Sequence, residues 1–291
     1  MKSVFKASFE ESLNLEDDGF LQYQKQDYYN KLGKAFKKGK PSFWFGIKTF
    51  ILSLLFPIGA NFMLLAVTLS FQNSDPKDLR SPVSQYPLLT VELYLICLLI
   101  WLLLVLMGKL FKRTFILPYR YRFHIITFMI WFVFEFNLLA TTISLPILSI
   151  WGILVLLGLQ VLLTYVMLRT ELRSLKKRMY GEVKSPTLQD KIAKGIAIYG
   201  AGILGLAVIV NYIFKAFSIN FSHSVTVLGL FIFWILLNIG IIAMIVFMEF
   251  PFFLEGYYKW KYPEEYREWE GKSVEEWYGK KYLKKQKELL K

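Results

Sequence analysis

Six apolar runs, each long enough to cross a bilayer as a helix, decide what this chain can fold into. They cover residues 47–71, 88–108, 123–143, 147–168, 195–214 and 225–248. A hydrocarbon core about 30 Å thick needs roughly 20 residues at the α-helical rise of about 1.5 Å. Backbone N–H and C=O groups find no water at that depth, so each run must satisfy its own hydrogen bonds as a helix. The period-two alternation of a transmembrane barrel is absent from these runs. The expected fold class is all-α, a polytopic membrane protein with six transmembrane helices. Residues 43–248 form the transmembrane domain, 1–42 a polar N-terminal segment and 249–291 a helical tail.

The chain carries a net charge of +13, and the distribution of that charge is more informative than its size. In the six-span arrangement nine Lys and Arg fall in the N-terminal segment (counting Lys48), five in 109–122, eight in 169–194 and ten in the tail. Those 32 of the 35 basic residues share one side, and only Lys77, Arg80 and Lys215 lie on the other. This asymmetry places the N- and C-termini in the cytoplasm of a multi-pass protein of the plasma membrane. The excess charge is expected to meet anionic headgroups of the lipid bilayer. No nucleic-acid recognition motif accompanies it, so nucleic acid is not an expected partner. The first 42 residues hold no apolar stretch of signal-peptide length, and the first run reads as an uncleaved anchor.

Local signals refine the picture. Pro57, in the stretch FPIGAN, cannot donate to the carbonyl of Ser53 and predicts a kink in the first span. The third and fourth runs are separated by so few residues, around Ser144 to Pro146, that a tight antiparallel hairpin is expected. The stretch RTELRSLKKRM should carry the fourth helix beyond the membrane, with Gly181 and Pro186 ending it. The sixth span should end at Glu249 and Pro251. In the tail, Pro263 followed by two glutamates marks a helix start, and Ser273 with Glu276 fits a capping box. Trp260, Trp269 and Trp277, with six tyrosines, predict a tail packed on the inner membrane surface or under the bundle. Tyr23 to Lys40 reads equally as a short interfacial helix or as a solvated basic flank. In the fifth run Ala193, Ala197, Ala201 and Gly205 recur every four residues, a stripe that lets two helix backbones approach closely.

Little in the sequence points to catalysis. The two histidines, His124 and His223, fall on opposite sides of the membrane in the six-span arrangement, which disfavours a metal site or a Ser-His-Asp relay. Cys97, the single cysteine, forms no disulfide within the chain and no cysteine-based metal site. No phosphate-binding glycine loop or HExxH appears, so no cofactor, metal or catalytic residue is expected and the protein reads as a non-enzyme.

The costly groups are polar side chains at depth: Glu135, Asn137, Asn61, Gln160 and Asn238. Counting about 1.5 Å per residue from the basic end puts Glu135 roughly 18 Å in, Asn238 about 15, Gln160 about 12 and Asn61 about 21. Four helices thus offer polar groups to one layer, which should face the bundle interior. Glu135 and Asn137 lie two residues apart, about 200° around a helix, so both cannot face one neighbour and the third helix should be covered on both sides. Glu135 is expected to be protonated, because no Lys or Arg lies at its depth.

Two functions suit these features. One is a non-enzymatic membrane protein that binds another membrane or secreted protein as an assembly, immunity or accessory factor. The other is a transporter or permease subunit, proton-coupled through Glu135. Topology is directly testable in a Cys97→Ala background. Single cysteines at Ser74 and Ser222 are expected to react with an impermeant thiol reagent on intact cells, whereas cysteines at Ser42, Ser185 and Ser273 are expected to stay unlabelled. External labelling at 185 would overturn the six-span arrangement.

Overall fold

A computed structural model describes residues 3–17, 21, 25–26, 43–75, 77, 79, 83–108, 110, 113–181, 223–279 and 282–283. The fifth apolar run, with the stripe Ala193, Ala197, Ala201 and Gly205, lies outside the described residues, as does most of Tyr23 to Lys40. The described elements are helical throughout: α1 (Phe9–Leu13) with a 3-10 turn (Asn14–Asp17), α2 (Phe43–Asn73), α3 (Val91–Gly108), a 3-10 turn (Thr114–Ile116), α4 (Leu117–Ser144), α5 (Ile150–Tyr180), α6 (His223–Met244), a π-helical turn (Ile245–Glu249), α7 (Phe250–Lys261), α8 (Pro263–Trp269) and α9 (Val274–Tyr278).

Among the described residues five helices are long and apolar enough to cross a membrane: Phe50–Asn73, Val91–Gly108, Thr114–Ser144, Ile150–Tyr180 and Gly229–Lys261. Their outer faces are apolar and open. Leu95, Leu99, Leu103 and Leu106 line one side of α3, and Leu154, Val161 and Leu162 one side of α5. Continuous apolar surface of this kind is untenable in water and suits acyl chains, so the protein is membrane-embedded.

The interior of the first three spans is a seam between parallel helices. On α2 the buried positions are Pro57, Asn61, Leu65 and Thr68; on α4 Trp131, Glu135, Leu139 and Thr142 are buried along the seam, with Tyr119 and Ser144 buried near the two helix ends. The two stripes share one spacing of four, four and three residues, which keeps a straight helix face turned to its neighbour. Tyr94 and Trp101 of α3 close the seam, their rings 5.9 and 5.8 Å from that of Trp131. At the far end from the tail, the segment before α3 rests on α4, where Leu88 N–H donates to Thr142 Oγ1 at 3.1 Å and Ser84 N–H to Thr142 O at 3.2 Å.

Two local expectations are corrected. The link between α4 and α5 is short, but the two helices do not pair along their length; α5 packs mainly on α6 and the π turn. The reason is that α4 has its faces occupied already, by α2 and α3 on one side and α6 on the other. Nor does the sixth run stop at Glu249 and Pro251. The π turn directly precedes Pro251, whose missing N–H cannot serve the Phe247 carbonyl, and the chain continues through it as α7 to Lys261. Pro57 is likewise held inside a continuous α2.

Below the bundle, at its basic end, the two ends of the chain share one core. Val4, Ala7 and Leu15 from the N-terminal segment pack with Phe115, with Leu175 and Met179 of α5, and with Leu254, Tyr258, Tyr266 and Trp277 of the tail. The helix starts are set locally. Ser8 and Glu11 form a capping box on α1, Ser273 and Glu276 one on α9, and Pro263 opens α8. Gly181 closes α5 with a left-handed φ of 65°. Asn14 Nδ2 donates to the Met179 carbonyl at 3.0 Å, covering a terminal acceptor of α5.

Tyrosine hydroxyls fasten this core. Ala7 N–H donates to Tyr258 Oη at 3.0 Å, Tyr262 Oη donates to Ala7 O at 2.9 Å, and Tyr180 Oη donates to Ser3 O at 2.8 Å. Ser12 and Tyr266 share a buried hydroxyl pair at 2.9 Å. Such rings fill apolar volume while their hydroxyls satisfy an extended backbone that has no sheet to pair with.

The hub meets α4 at Gly256, where Tyr119 lies so close that an added Cβ would stand 2.6 Å from Tyr119 Cδ1. Gly256→Ala is therefore expected to lower stability by about 1–3 kcal/mol, since the ring is also packed 4.7 Å from Phe252. Gly158→Ala, at a position with open space around it, is the control. Thermal unfolding in detergent should separate the two variants, and equal midpoints would show that no close approach exists at Gly256.

Candidate functional site

The five polar residues at depth fall into three groups. Asn137 and Asn238 meet across α4 and α6: Asn137 Nδ2 donates to Asn238 Oδ1 at 2.8 Å, and Asn238 Nδ2 to Asn137 Oδ1 at 3.0 Å. Trp234 Nε1 is a second donor to Asn137 Oδ1 at 2.7 Å. The spare amide protons go to backbone carbonyls one turn back, Asn137 to Val133 and Asn238 to Trp234. This group is closed on itself, as polar side chains in an apolar medium must be.

Glu135 lies on the opposite face of α4, as the 200° separation demands, and is fully buried. Trp131 Nε1 donates to its Oε1 at 2.6 Å, while Oε2 has no partner among the described residues. Asn61 is its counterpart on α2, also fully buried. Its Nδ2 donates to Pro57 O at 2.8 Å, and its Oδ1 has no partner among the described residues. Gln160 stands apart on α5, with its side-chain nitrogen buried and unpaired among the described residues. The single polar layer expected from depth is thus divided, because Glu135 and Asn137 leave α4 in opposite directions.

Two tryptophans escaped the depth argument. Trp131 precedes Glu135 by four residues and Trp234 precedes Asn238 by four. An indole N–H favours an acceptor at depth: Trp131 finds it four residues on at Glu135, while the same spacing puts Trp234 on the face of Asn238 that meets Asn137. The paired spacing was the available signal.

The second polar concentration lies in the hub. Lys25 bridges Glu16 and Glu255, the latter at 2.6 Å; Lys259 bridges Glu255 at 2.9 Å and Glu270 at 2.5 Å; Lys272 reaches Glu270 at 2.6 Å. Charges alternate along this chain, which joins the N-terminal segment to α7 and to the turn after α8. Burial raises the Glu16 carboxyl above its ordinary range, helped by the Glu255 carboxylate and opposed by Lys25. Burial also acts against the Glu270 carboxylate, but Lys259 and Lys272 outweigh it and hold that carboxyl below its ordinary range. Closer to the bundle, Arg122 of α4 pairs with buried Glu249 at 2.7 Å and lies over the Phe252 ring.

Among the described residues no group of three or more His, Cys, Asp or Glu is placed to hold a metal ion. No protein-family model, curated protein or solved structure matches the chain.

The Asn137–Asn238 pair should be measurable as a coupling. Asn137→Leu and Asn238→Leu are each expected to destabilise the bundle, and the double variant to cost less than their sum by about 0.6–2 kcal/mol. Gln160→Leu, which removes no hydrogen bond of this group, should be additive with either. Strict additivity of the two asparagine variants in detergent unfolding would remove the pair as a fastener.

Proposed function

We propose that this is a non-enzymatic multi-pass protein of the plasma membrane that binds another membrane or secreted protein as an assembly, immunity or accessory factor. In this reading six helices span the bilayer, both termini are cytoplasmic and the excess positive charge of that side meets anionic headgroups. The observation that carries it is the hub itself, a folded core at the basic end of the bundle built from both ends of the chain. A membrane protein that only needed to span the bilayer would have no use for such a module. The hub also leaves Trp260, Trp269 and Phe5 about half exposed. Exposed tryptophan on a rigid, charge-laced surface is the composition of interface hot spots.

A second reading, a transporter or permease subunit, is favoured by one observation, the enclosed Glu135 carboxyl with an oxygen unpaired among the described residues.

A photo-crosslinking amino acid in place of Trp269 tests the preferred reading in living cells. A discrete protein adduct is expected from position 269 and not from the lipid-facing Trp151, and it should be lost when Trp260→Ala is added. Only lipid adducts at position 269, with the protein folded, would sink the partner-binding reading.

A further inference from the structure

The α2–α4 seam has one unresolved account. Glu135 Oε2 and Asn61 Oδ1 are both acceptors, both fully enclosed, and both without a donor among the described residues. An enclosed acceptor without a donor costs about 1–3 kcal/mol, and an enclosed carboxylate without a counter-charge costs more. The register of the two helices brings the two residues to about the same depth. Asn61 and Glu135 hold the same place in the matched stripes of α2 and α4, Pro57–Asn61–Leu65–Thr68 against Trp131–Glu135–Leu139–Thr142. The T-shaped pair Phe56–Phe128 independently sets the register of these parallel helices. From it, Asn61 and Glu135 differ by two residues of rise, roughly 3 Å. Leu65 and Leu139, one turn on, fall in the same apolar core.

We propose that Glu135 is a proton-binding site, with the bound proton held between its Oε2 and the Asn61 side-chain oxygen, tying α2 to α4. The hydrogen-bond directions fit. The Asn61 amide is oriented by its donation to Pro57 O, which leaves Oδ1 as the acceptor. Oε1 already accepts from Trp131, so it is the carbonyl oxygen of the acid and Oε2 carries the hydrogen. One proton passes from hydronium to Oε2, an O–H bond of hydronium breaking as the new one forms and water leaving, and both stranded acceptors are satisfied. A metal cation fits less well, because sodium-sized ions take about six oxygens and this layer supplies two side-chain acceptors and the Tyr94 hydroxyl, which points to the Ile58 carbonyl at 3.4 Å.

The groups facing Glu135 support a lone titrating site. From α3 these are Tyr94 and Cys97, both within its electrostatic reach. The described part of α2 has only Lys48, near its opposite end, and α6 presents Asn238 and Trp234 to the other face of α4. The Arg122–Glu249 pair lies 13 residues down α4, roughly 20 Å away. Loss of the proton leaves a buried anion beside Pro57, where α2 already lacks one backbone bond. The predicted consequence is that α2 loosens from α4 at that turn. This site does not depend on the partner-binding reading and stands or falls separately from it.

The test is infrared difference spectroscopy of the full chain in nanodiscs across roughly pH 5–9, a range that buried glutamates span. Wild-type protein is expected to show a protonated-carboxyl band that disappears as pH rises and is missing at every pH from Glu135→Gln. Asn61→Leu should move that band to higher wavenumber, because the acid loses its acceptor. Thermal midpoints should fall with rising pH in wild type, where the tether is present only in the protonated form, and should lose this pH-dependent component in Glu135→Gln, whose amide keeps donating. A carboxylate signal at all pH values, or a band unmoved by Asn61→Leu, would overturn the proposal. Conversion of the band by sodium at fixed pH, with choline as the control, would also overturn it and assign the oxygens to a metal cation. Should Glu135→Gln fail to fold, the Asn61→Leu band shift decides alone.

Discussion

Two residues on one helix, Glu135 and Asn137, organise the bundle. At 3.6 residues per turn they leave α4 in nearly opposite directions, and neither tolerates lipid. Each therefore requires a helix on its own side. Asn137 is met by α6 through a reciprocal amide pair, and Glu135 is enclosed by the α2–α3 seam. With both faces taken, α4 has no side left for the helix that follows it in sequence. α5 is displaced onto α6, although it begins only a short link away. Sequence adjacency loses to the cost of an exposed polar group, which runs to several kcal/mol in hydrocarbon.

The hub follows from a different constraint. The basic ends of α5 and of the last long helix carry apolar faces, Leu175 and Met179 on one and Leu254 and Tyr258 on the other. Two short helical ends bury too little surface to stand alone. The N-terminal segment fills the space between them, and Phe115 from the turn before α4 stacks on Trp277, their rings 4.7 Å apart, to close the base. Glu255 is the most exacting element of this core, being wholly buried between Lys25 and Lys259. Removing one lysine from such a pair strands the remaining charge, which is why buried pairs specify an arrangement more than they stabilise it.

Much of this was legible in residues taken alone. Run length located the five long apolar helices of the described residues, the Ser273–Glu276 and Pro263 signals set the tail helices, and Gly181 set the end of α5. The 200° separation on α4 correctly implied two covered faces. What sequence could not supply was the identity of each neighbour. Depth alone put Glu135, Asn61, Gln160 and Asn238 in one layer, because depth carries no azimuth; only the contacts show that Asn238 turns to Asn137 and Gln160 to neither. The N-terminal segment was harder still. Val4 and Ala7 lie outside any helix, and tyrosine hydroxyls far along the chain satisfy their backbone. A pattern that depends on a partner some 250 residues away leaves no local period to read.

The two sides of α4 are built to different standards, and that difference has a mechanical consequence. Towards α6 every amide proton of Asn137 and Asn238 has an acceptor, and the same side continues into the hub through the π turn. Towards α2 the polar groups are left one hydrogen short, next to a proline that already interrupts α2. The stiff side and the soft side meet at the base of α4, where Tyr119 lies in van der Waals contact over Gly256 and Arg122 holds Glu249. Packed ring against bare backbone tolerates little sliding, because protein interiors are close to crystal density. The seating of α2 on α4 and the posture of the hub are therefore linked through a rigid helix and two contacts at its foot. A change in tilt at the Glu135 layer would reach the exposed tryptophans of the hub, Trp260 and Trp269, without any rearrangement of the Asn137–Asn238 pair.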